Sequence, residues 1–338
     1  FTGRILRLFD TGQREEARLI EELRGIGAEV WDKDPESGDQ FRVSACGGHF
    51  GGSLDGIAKG LPEAPQTAAV LEFKTHNDKS FNELEKSKVK SSKPQHFDQM
   101  TIYMGLMDLT RALYMAVNKN TDAVYTEWVE FDKGHFDNLM ERAQRLIDQV
   151  TSPEPLSHDP SYYICKMCNF HKHCHGGVAA EANCRTCCHA SPVENAAWAC
   201  DHHKKNLDDK TQREGCDSHL LIPSLIPYGE PIDGGANWLA YKHKDFGGTF
   251  VNGKEEVPEY GPSFTSQELH LCPSILMNDM AKLKEQFPGS TVVSGVAESI
   301  FDDLATDIDD IPVRSDHPVK KVEKKKIKAV VDAMKKFS

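Results

Sequence analysis

Residues 67–75, TAAVLEFKT, form the stretch of this sequence that decides the fold. The run is rich in β-compatible apolar residues, follows the turn-forming Pro62 and Pro65, and has the length of a central strand. Side chains two positions apart lie on the same face of a strand, so Glu72 and Lys74 share a face. The sequence therefore predicts a buried strand that presents a carboxylate beside an ammonium group.

The segments around this strand predict an α/β domain. An amphipathic helix is expected at residues 13–26, and residues 41–60 indicate two short strands that meet at a glycine-rich turn, with Asp55 on the second strand. The lysine-rich residues 77–93 have little apolar content, so we expect a mobile loop there, before a helix that begins at Pro94. The remaining predicted elements of this domain are strands at 111–118 and 123–131 and a helix at 132–150.

The net charge limits which partners the chain attracts. Its 338 residues include 40 Lys and Arg against 52 Asp and Glu, a formal charge of −12 at pH 7, so the overall field repels a phosphate backbone. Two basic clusters, Lys86 to Lys93 and Lys320 to Lys328, are local exceptions, and each is either an anion-binding surface or a solvated one. The length fits two or three domains.

Membrane and secretory signals are not found in the sequence. No segment approaches the roughly 20 consecutive apolar residues that cross a bilayer. The first residues, FTGRILRLFD, also lack the charged, apolar and cleavage regions of a secretory signal. We therefore expect a soluble, cytoplasmic protein without a membrane partner, in a compartment that keeps thiols reduced.

Asp55, Glu72 and Lys74 together fit the metal-assisted hydrolysis of a phosphodiester bond. This reaction needs an activated water, a cation that neutralises developing negative charge, and a group that orients or deprotonates the water. Two carboxylates from neighbouring strands can bind one or two Mg²⁺ or Mn²⁺ ions, while the lysine contacts the attacking water or the scissile phosphate. The alternative is that Glu72 and Lys74 form only a surface ion pair.

The arrangement D-x16-E-x-K of these residues resembles the PD-(D/E)XK nuclease superfamily, most closely its RecB-like and phage exonuclease branch, although Leu54 replaces the family's leading proline. Gln99 and Tyr103 match the Q-x3-Y helix motif of the same branch and share a helix face. The resemblance implies that both lie beside the active site, where they contact nucleic acid or Lys74. Without it, the favoured interpretation of the pair is one polar cap and one core aromatic residue.

The resemblance also implies a restriction-endonuclease-like core, in which helices flank a mixed sheet, over residues 1–155. It places an acidic side chain of the first helix near the catalytic metal; Glu16 is the expected residue, with Glu15 as the alternative. Asp55 and Glu72 would then bind Mg²⁺ or Mn²⁺.

The cysteines are concentrated in one region. Eight of the ten lie between Cys165 and Cys216, at C-x2-C spacing among histidines, which in a chain without an export signal indicates metal rather than disulfides. Residues 156–222 have too little apolar content for a core of their own, so small metal-stabilised modules are expected there. Residues 223–338 are expected to form a small accessory domain that ends in a charged, flexible tail.

The first predicted metal site has C-x2-C-x5-C spacing. Its cysteines are Cys165, Cys168 and Cys174. They resemble the cluster of iron–sulfur nucleases in the superfamily, which implies a 4Fe-4S cluster with a fourth cysteine further upstream, where Cys46 is the only one in this sequence. Ordinary ligand spacing favours zinc instead, with His171 or His175 as the fourth ligand.

The second predicted site is a closed, structural zinc site. Its expected ligands are Cys184, Cys187, Cys200 and Cys216, with His189 or His219 as substitutes. Cys188 and Cys272 have no obvious partner in the sequence and are expected to be packed or free thiols.

The resemblance implies a deoxyribonuclease, an exonuclease rather than a sequence-specific enzyme, in phage or bacterial DNA replication, recombination or repair. The implied partners are DNA and a recombination or single-strand-binding protein, in the cytoplasm of a bacterial host. Two alternatives remain open: a structure-specific endonuclease, and a non-catalytic nucleic-acid-binding protein whose zinc modules make the contacts.

Overall fold

The computed structural model describes residues 3–293, which divide into two compact units. Unit 1 contains residues 3–145 and unit 2 contains residues 146–293. The basic cluster Lys320 to Lys328 and the expected charged tail lie outside the described residues. Both units combine helices with mixed or antiparallel sheets, so the predicted α/β class is confirmed at that level.

Unit 1 contains the helices and strands that the sequence predicts, together with three elements that it does not: a short strand at residues 29–31, a third strand within residues 41–60, and a helix at residues 78–92. Its elements are α1 Gly3–Gly25, β1 Glu29–Trp31, β2 Arg42–Ala45, β3 Phe50–Ser53, β4 Gly56–Lys59, β5 Ala69–His76, α2 Asp78–Ser92, α3 Pro94–Met107, β6 Arg111–Asn118, β7 Val124–Glu130 and α4 Lys133–Asp148.

The main sheet of unit 1 is mixed and has the strand order β1-β4-β5-β6-β7. β5 and β6 run parallel, with Glu72 opposite Tyr114, whereas the other neighbours run antiparallel. Parallel neighbours cannot be joined by a tight turn, so the chain crosses from β5 to β6 through α2 and α3. β5 is therefore the central strand that TAAVLEFKT predicts.

The two faces of this sheet bury different helices. α1 packs on one face through Leu19, Ile20 and Leu23. α2 and α3 pack on the other face, where Phe81 and Met100 belong to the second core cluster. Alternation along β5 produces this division, because its odd-numbered residues from 69 to 73 face α1 while Val70 faces α2 and α3. The even-numbered face, which also carries Glu72 and Lys74, therefore lies toward α2 and α3.

The expectation of a mobile loop at residues 77–93 is wrong, because α2 occupies this segment. The Asn77 side chain caps the helix by accepting a 2.9 Å hydrogen bond from the Ser80 amide. Phe81 and Leu84, one turn apart, bury a narrow apolar stripe on the core, and the rest of the surface is polar. The helix is interrupted at Lys88, whose φ of 60° is not helical, and Val89 beyond this kink is also buried, so three buried side chains dock a segment whose average composition is that of a loop.

Unit 2 is built from short elements. They are α5 Tyr163–Lys166, α6 His171–His175, β8 Ala190–Val193, β9 Ala197–Cys200, β10 Lys205–Leu207, α7 Asp209–Glu214, β11 Gly229–Gly234, β12 Trp238–His243, β13 Thr249–Gly253, β14 Ser263–Phe264, α8 Ser266–Leu271 and α9 Ser274–Gln286. β8 to β10 form an antiparallel sheet in the order β10-β9-β8. β11 to β14 form a second sheet, in which only β13 and β14 are parallel.

The apolar core of unit 2 is unevenly distributed. Its larger cluster combines Ala179 and Leu221 with Phe250 and Phe264, so residues on both sides of 222 share it. The cysteine-rich sheet has a much smaller cluster, in which Leu207 is joined by two cysteines, Ala190 and Trp198. This small core agrees with the low apolar content of the segment.

Among the helices described between residues 3 and 293, none combines the length and the apolar character needed to cross a membrane.

Candidate active site

Glu72 is a buried carboxylate at the centre of the main sheet. Its exposed fraction is 0%, although carboxylates are rarely buried without partners. The Lys74 ammonium donates hydrogen bonds to Glu72 Oε1 and, at 3.1 Å, to the Phe73 carbonyl. The other oxygen, Glu72 Oε2, has no hydrogen-bond partner among residues 3–293. Glu72 thus has one oxygen engaged and one left over, in the interior of the protein.

Asp55 lies where the chain passes from the two-stranded sheet of β2 and β3 to the main sheet. The residue is in the bend between β3 and β4, and not on a strand as the sequence suggests. β4 pairs with β5 only as far as Gly56 opposite Leu71, so the next amide of β5 has no strand partner on that side. Asp55 Oδ2 accepts a 2.8 Å hydrogen bond from this amide, the N–H of Phe73. The carboxylate is therefore fixed against β5 at a defined position, 4.0 Å from Lys74 Nζ.

The carboxylates of this cluster resist ionisation. Burial raises the pKa of Glu72 to about 7; the Lys74 charge opposes this rise, and the Asp55 carboxylate adds to it. Burial also raises the pKa of Asp55, while Lys74 and the Phe73 amide lower it. One lysine therefore only partly compensates the buried Glu72 and the partly buried Asp55, and the cluster favours a further positive charge.

Glu16 of α1 joins this cluster. Burial raises its pKa, and the Asp55 carboxylate raises it further while Lys74 lowers it, which shows that the three groups are close. A cleft of about 420 Å³ is lined by Glu16, Asp55 and Lys74, among others. Glu15 also lines this cleft, and it forms an ion pair with Arg18 at 2.9 Å. Of the two glutamates that the sequence offers, Glu16 is the one that shares an electrostatic environment with Asp55 and Lys74.

Gln99 and Tyr103 lie one helical turn apart on α3, and Gln99 Nε2 donates a 3.2 Å hydrogen bond to Tyr103 Oη. Burial raises the pKa of Tyr103, Gln99 lowers it, and the Glu72 and Asp55 carboxylates raise it, so this hydroxyl is close to both carboxylates. The ring lies on Gly52 of β3, where a Cβ atom would be only 2.5 Å from Tyr103 Oη. The structure therefore brings both α3 residues beside the acidic cluster.

Three polar residues that sequence reasoning missed adjoin the same cluster: His76, His96 and Tyr114. Tyr114 Oη lies 3.0 Å from His76 Nε2 and 2.9 Å from His96 Nδ1. His76 continues the even-numbered face of β5 after Lys74, and His96 precedes Gln99 by three residues on α3, so both spacings are visible in the sequence. The role of Tyr114 depends on its register opposite Glu72 and is visible only in the fold.

Asp55 and Glu72 are the residues of this cluster that could hold a divalent cation, although within residues 3–293 no group of three or more Cys, His, Asp or Glu side chains is close enough to hold one. Glu72 Oε2 is buried and unpartnered among the described residues, and an isolated buried carboxylate oxygen is costly unless a cation or donor meets it. Asp55 Oδ2 is held by the Phe73 amide, which leaves Oδ1 as its second oxygen. Mg²⁺ or Mn²⁺ would be held by these two carboxylates.

The first cysteine group lies on α5 and α6 of unit 2. Burial raises the pKa of Cys174, and the nearby Cys168 and Cys165 thiols raise it further, so the three lie close together. His171 Nε2 lies 3.2 Å from the Pro160 carbonyl, whereas His175 Nε2 is buried without a partner in the described part of the chain. Of the two histidines that spacing offers as a fourth ligand, His175 has the unengaged nitrogen.

The second cysteine group lies around β8 and β9. Burial raises the pKa of Cys184 to about 11, and the other three thiols of the group contribute to that rise. Backbone amides already face two of the sulfurs: the His203 amide donates to Cys200 Sγ at 3.4 Å, and at Cys187, whose pKa burial raises, the amides of His189 and Leu220 oppose that rise. Such amide donors stabilise thiolates, the form that binds zinc.

Metal binding by these cysteines stays a prediction. Within residues 3–293 no group of three or more Cys, His, Asp or Glu side chains is arranged closely enough to hold a metal ion. The mutual effects on pKa show that the thiols of each group are neighbours, but they do not form a complete ligand set. None of the ten cysteines, all of which lie in the described range, forms a disulfide.

Comparisons with known proteins add no assignment. No family model matches the chain, and no curated protein matches it. A solved structure described as that of SSO0001 is similar at 19% identity and a TM-score of 0.29, over 48% of this chain and 67% of that one. A likeness this low carries no argument about fold or function.

Proposed function

We propose that this protein is a metal-dependent deoxyribonuclease with a PD-(D/E)XK-type active site in unit 1. The observation that carries the proposal is the pair of the partly buried Asp55 and the buried Glu72, which share one lysine, and of which Glu72 retains a carboxylate oxygen without a partner among residues 3–293. A buried ion pair that served stability alone would have both of its partners satisfied. The resemblance of D-x16-E-x-K and Q-x3-Y to RecB-like nucleases supports the same reaction.

Each residue has a distinct role in the proposed hydrolysis. Asp55 and Glu72 hold the divalent cation, which when bound neutralises charge that develops on the phosphate and lowers the pKa of water. Lys74 orients the attacking water, whose oxygen bonds to phosphorus as the bond to the leaving oxygen breaks. Glu16, in the same cleft, accepts the proton that this water loses. Its raised pKa makes it a better proton acceptor than an ordinary glutamate.

Gln99 and Tyr103 bind the substrate in this proposal. The Tyr103 hydroxyl keeps its proton at neutral pH because burial raises its pKa, so it can donate a hydrogen bond to a phosphate oxygen. Gln99 orients this hydroxyl through its 3.2 Å hydrogen bond. The backbone of Gly52 fixes the plane of the ring.

The test is degradation of end-labelled linear DNA with Mg²⁺ or Mn²⁺ present, compared between wild type, Glu72→Gln and Lys74→Ala. We expect wild type to degrade DNA and each variant to lose roughly 10²-fold or more in rate. Glu130→Gln is the matched control, because Glu130 is an exposed carboxylate of the same sheet. Equal degradation by wild type and both site variants, or activity that persists in EDTA, would refute the proposal.

Exonuclease action on DNA ends in phage or bacterial replication, recombination or repair is the expected mode. Closed circular DNA has no ends, so an exonuclease leaves it intact, whereas a structure-specific endonuclease cuts it at distorted regions. Comparison of circular and linear substrates distinguishes the two modes. A recombination or single-strand-binding protein is the expected protein partner.

We propose a structural role for the cysteine groups, with zinc at Cys184, Cys187, Cys200 and Cys216. The amide donors on Cys187 and Cys200 support thiolate ligands there. At the first group, Cys165, Cys168 and Cys174 with His175 would bind a second zinc, and a 4Fe-4S cluster is the alternative. Metal analysis distinguishes them, because an iron–sulfur cluster contains iron and colours the protein.

A further inference from the structure

A chain of hydrogen bonds runs behind the acidic cluster of unit 1. Ser80 Oγ lies 3.1 Å from His76 Nδ1, His76 Nε2 lies 3.0 Å from Tyr114 Oη, and Tyr114 Oη lies 2.9 Å from His96 Nδ1. Tyr114 is fully buried and His76 is 9% exposed. The chain thus connects α2, β5, β6 and α3 through polar atoms inside the protein.

Only one end of this chain has a free nitrogen. Both ring nitrogens of His76 are engaged, and the Tyr114 hydroxyl contacts both histidines. His96 Nε2 has no hydrogen-bond partner in the described residues, and it is not among the polar atoms that are closed off from solvent. Buried polar chains with all inner members satisfied hold their end groups in fixed orientations.

The free end of the chain lies beside the proposed catalytic residues. His96 shares a face of α3 with Gln99 and Tyr103, at spacings of three and seven residues. It is close enough to Lys74 for that ammonium to lower its pKa, and Lys93 acts on it in the same direction. The imidazole therefore sits in a positive local field, which attracts an anion although the whole protein is negatively charged.

His96 is neutral at physiological pH. Burial lowers its pKa to about 4, and Lys74, His76 and Lys93 add to this effect. His76 behaves in the same way, with a pKa of about 4. A neutral imidazole has one N–H, and the partner of its other nitrogen decides which nitrogen carries the hydrogen.

One arrangement of the hydrogens along this hydrogen-bonded chain leaves a hydrogen-bond donor, His96 Nε2–H, at the proposed active site. The Ser80 hydroxyl donates to His76 Nδ1, His76 Nε2–H donates to Tyr114 Oη, and the Tyr114 hydroxyl donates to His96 Nδ1. The hydrogen of His96 then resides on Nε2. Burial and the Glu72 carboxylate raise the pKa of Tyr114, so its hydroxyl keeps the proton that this ordering needs.

We propose that His96 contacts the nucleic-acid substrate by donating its Nε2–H to a phosphate oxygen next to the scissile bond, and that Tyr114 and His76 are positioning residues that fix its ring and tautomer. This inference rests on the proposed nuclease function. It adds to the site a phosphate contact that is neutral in the free protein, whereas Lys74 contributes a charge.

Two substitutions of His96 separate the two ring nitrogens. Asparagine places an amide near the position of Nδ1, so His96→Asn retains a partner for Tyr114 and loses the outward group. Glutamine places its amide near the position of Nε2, so His96→Gln retains the outward donor. We expect His96→Asn to lower kcat/KM roughly 10- to 100-fold, the usual effect of losing one hydrogen bond to a charged group, and His96→Gln to retain most activity.

His135→Asn is the matched control. This histidine of α4 bonds to Asp98 at 2.6 Å and takes no part in the chain, so its substitution should leave kcat/KM unchanged. Melting temperatures of all variants are measured alongside. If His96→Asn and His96→Gln lower activity equally, or if the loss follows a loss of stability, the chain is internal packing and the proposal is wrong.

A binding measurement tests the contact apart from cleavage. In the Glu72→Gln background, we expect His96→Asn to weaken binding of a fluorescent DNA duplex about 10-fold and His96→Gln to weaken it less. If the protein binds DNA through His96 but does not cleave it, the proposed nuclease function is refuted and the proposed His96 contact stands. Unchanged affinity in both variants would refute the contact.

The positioning role of Tyr114 is tested by NMR of the histidine rings, whose ¹⁵N shifts distinguish the two neutral tautomers. We expect the Nε2–H tautomer of His96 in wild type and a mixture of tautomers in Tyr114→Phe, together with a lower kcat/KM. A wild-type His96 with its hydrogen on Nδ1 would overturn the donor role.

Discussion

Replacing Glu72 by glutamine should make the metal-free protein more stable at neutral and alkaline pH. Burial raises the pKa of this carboxyl from 4.5 to about 7, in spite of the adjacent Lys74. A carboxyl with a higher pKa in the folded than in the unfolded chain contributes its full stability below pH 4.5, and that contribution is lost as pH rises to about 7. Glutamine has nearly the same shape and no charge, so the variant avoids the loss.

The size of the effect follows from the same difference in pKa. One pKa unit corresponds to about 1.4 kcal/mol, so ionisation of Glu72 costs the folded protein about 3 kcal/mol above pH 7. The substitution also removes the ion pair with Lys74. Lys74 is 27% exposed and lies 4.0 Å from Asp55, so its ammonium keeps contact with water and with a second carboxylate. The pKa of about 7 already includes the attraction of Lys74, so the figure of about 3 kcal/mol is net of the lost ion pair.

The assay is urea denaturation in EDTA between pH 4.5 and pH 8. We expect the difference in unfolding free energy between Glu72→Gln and wild type to be near zero at the acidic end and to approach about 3 kcal/mol at pH 8. Glu130→Gln, at an exposed position, should follow the wild-type curve. Added Mg²⁺ should stabilise wild type more than Glu72→Gln. Parallel curves for wild type and variant in EDTA would refute the argument that burial of this charge is costly.

Three further outcomes are expected. Gly52→Ala should displace Tyr103, because the new Cβ would lie 2.5 Å from the Tyr103 hydroxyl oxygen, and should lower nuclease activity about 10²-fold. Gly25→Ala is the control, because no atom lies within 4 Å of its new Cβ, and it should leave activity unchanged. Equal activities of the two variants would contradict this prediction. Removal of zinc by a chelator should lower the melting temperature by roughly 5 °C or more while Mg²⁺-dependent activity remains until the protein unfolds; unchanged melting after complete zinc loss would exclude a structural metal. Glu268→Gln should destabilise the protein at pH 7, because Lys284 and two backbone amides lower the pKa of Glu268 against the effect of burial. That difference should fade as pH falls below about 4.5, and a difference independent of pH in urea denaturation would contradict it.

The fold of unit 1 was predictable wherever local pattern and burial agree. β5 begins with apolar residues, is mostly buried and is the central strand, and α3 begins at Pro94 as expected. α2 was missed because its composition is that of a loop; the Asn77 cap and the spacing of Phe81 and Leu84 were the signals available. The average composition of a segment therefore does not reveal a helix that packs on the core through only a few side chains.

The candidate site was predictable only in part. Glu72 and Lys74 follow from alternation along one strand, whereas the sequence leaves Glu16 and Glu15 as alternatives; both line the cleft, and the Asp55 carboxylate raises the pKa of Glu16. The hydrogen bond from Phe73 to Asp55 and the position of Tyr114 depend on how separate strands pair, which local sequence does not encode. For the cysteine groups, the sequence gives the spacing of the cysteines and the structure shows that the thiols of each group are neighbours.

The position of Asp55, between the β2–β3 sheet and the main sheet of unit 1, affects which cation can bind. One oxygen of Asp55 accepts from the Phe73 amide and one oxygen of Glu72 accepts from Lys74, so an ion that binds through Oδ1 and Oε2 does not compete with these donors. Ca²⁺ takes six to eight oxygens and often binds carboxylates through both, whereas Mg²⁺ accepts one oxygen from each of two carboxylates and keeps several waters. We therefore expect calorimetric titration to give tighter binding of Mg²⁺ and Mn²⁺ than of Ca²⁺. A preference for Mg²⁺ and Mn²⁺ would then arise from the hydrogen bonds of the Phe73 amide and Lys74, which favour binding of the ion through one oxygen of each carboxylate.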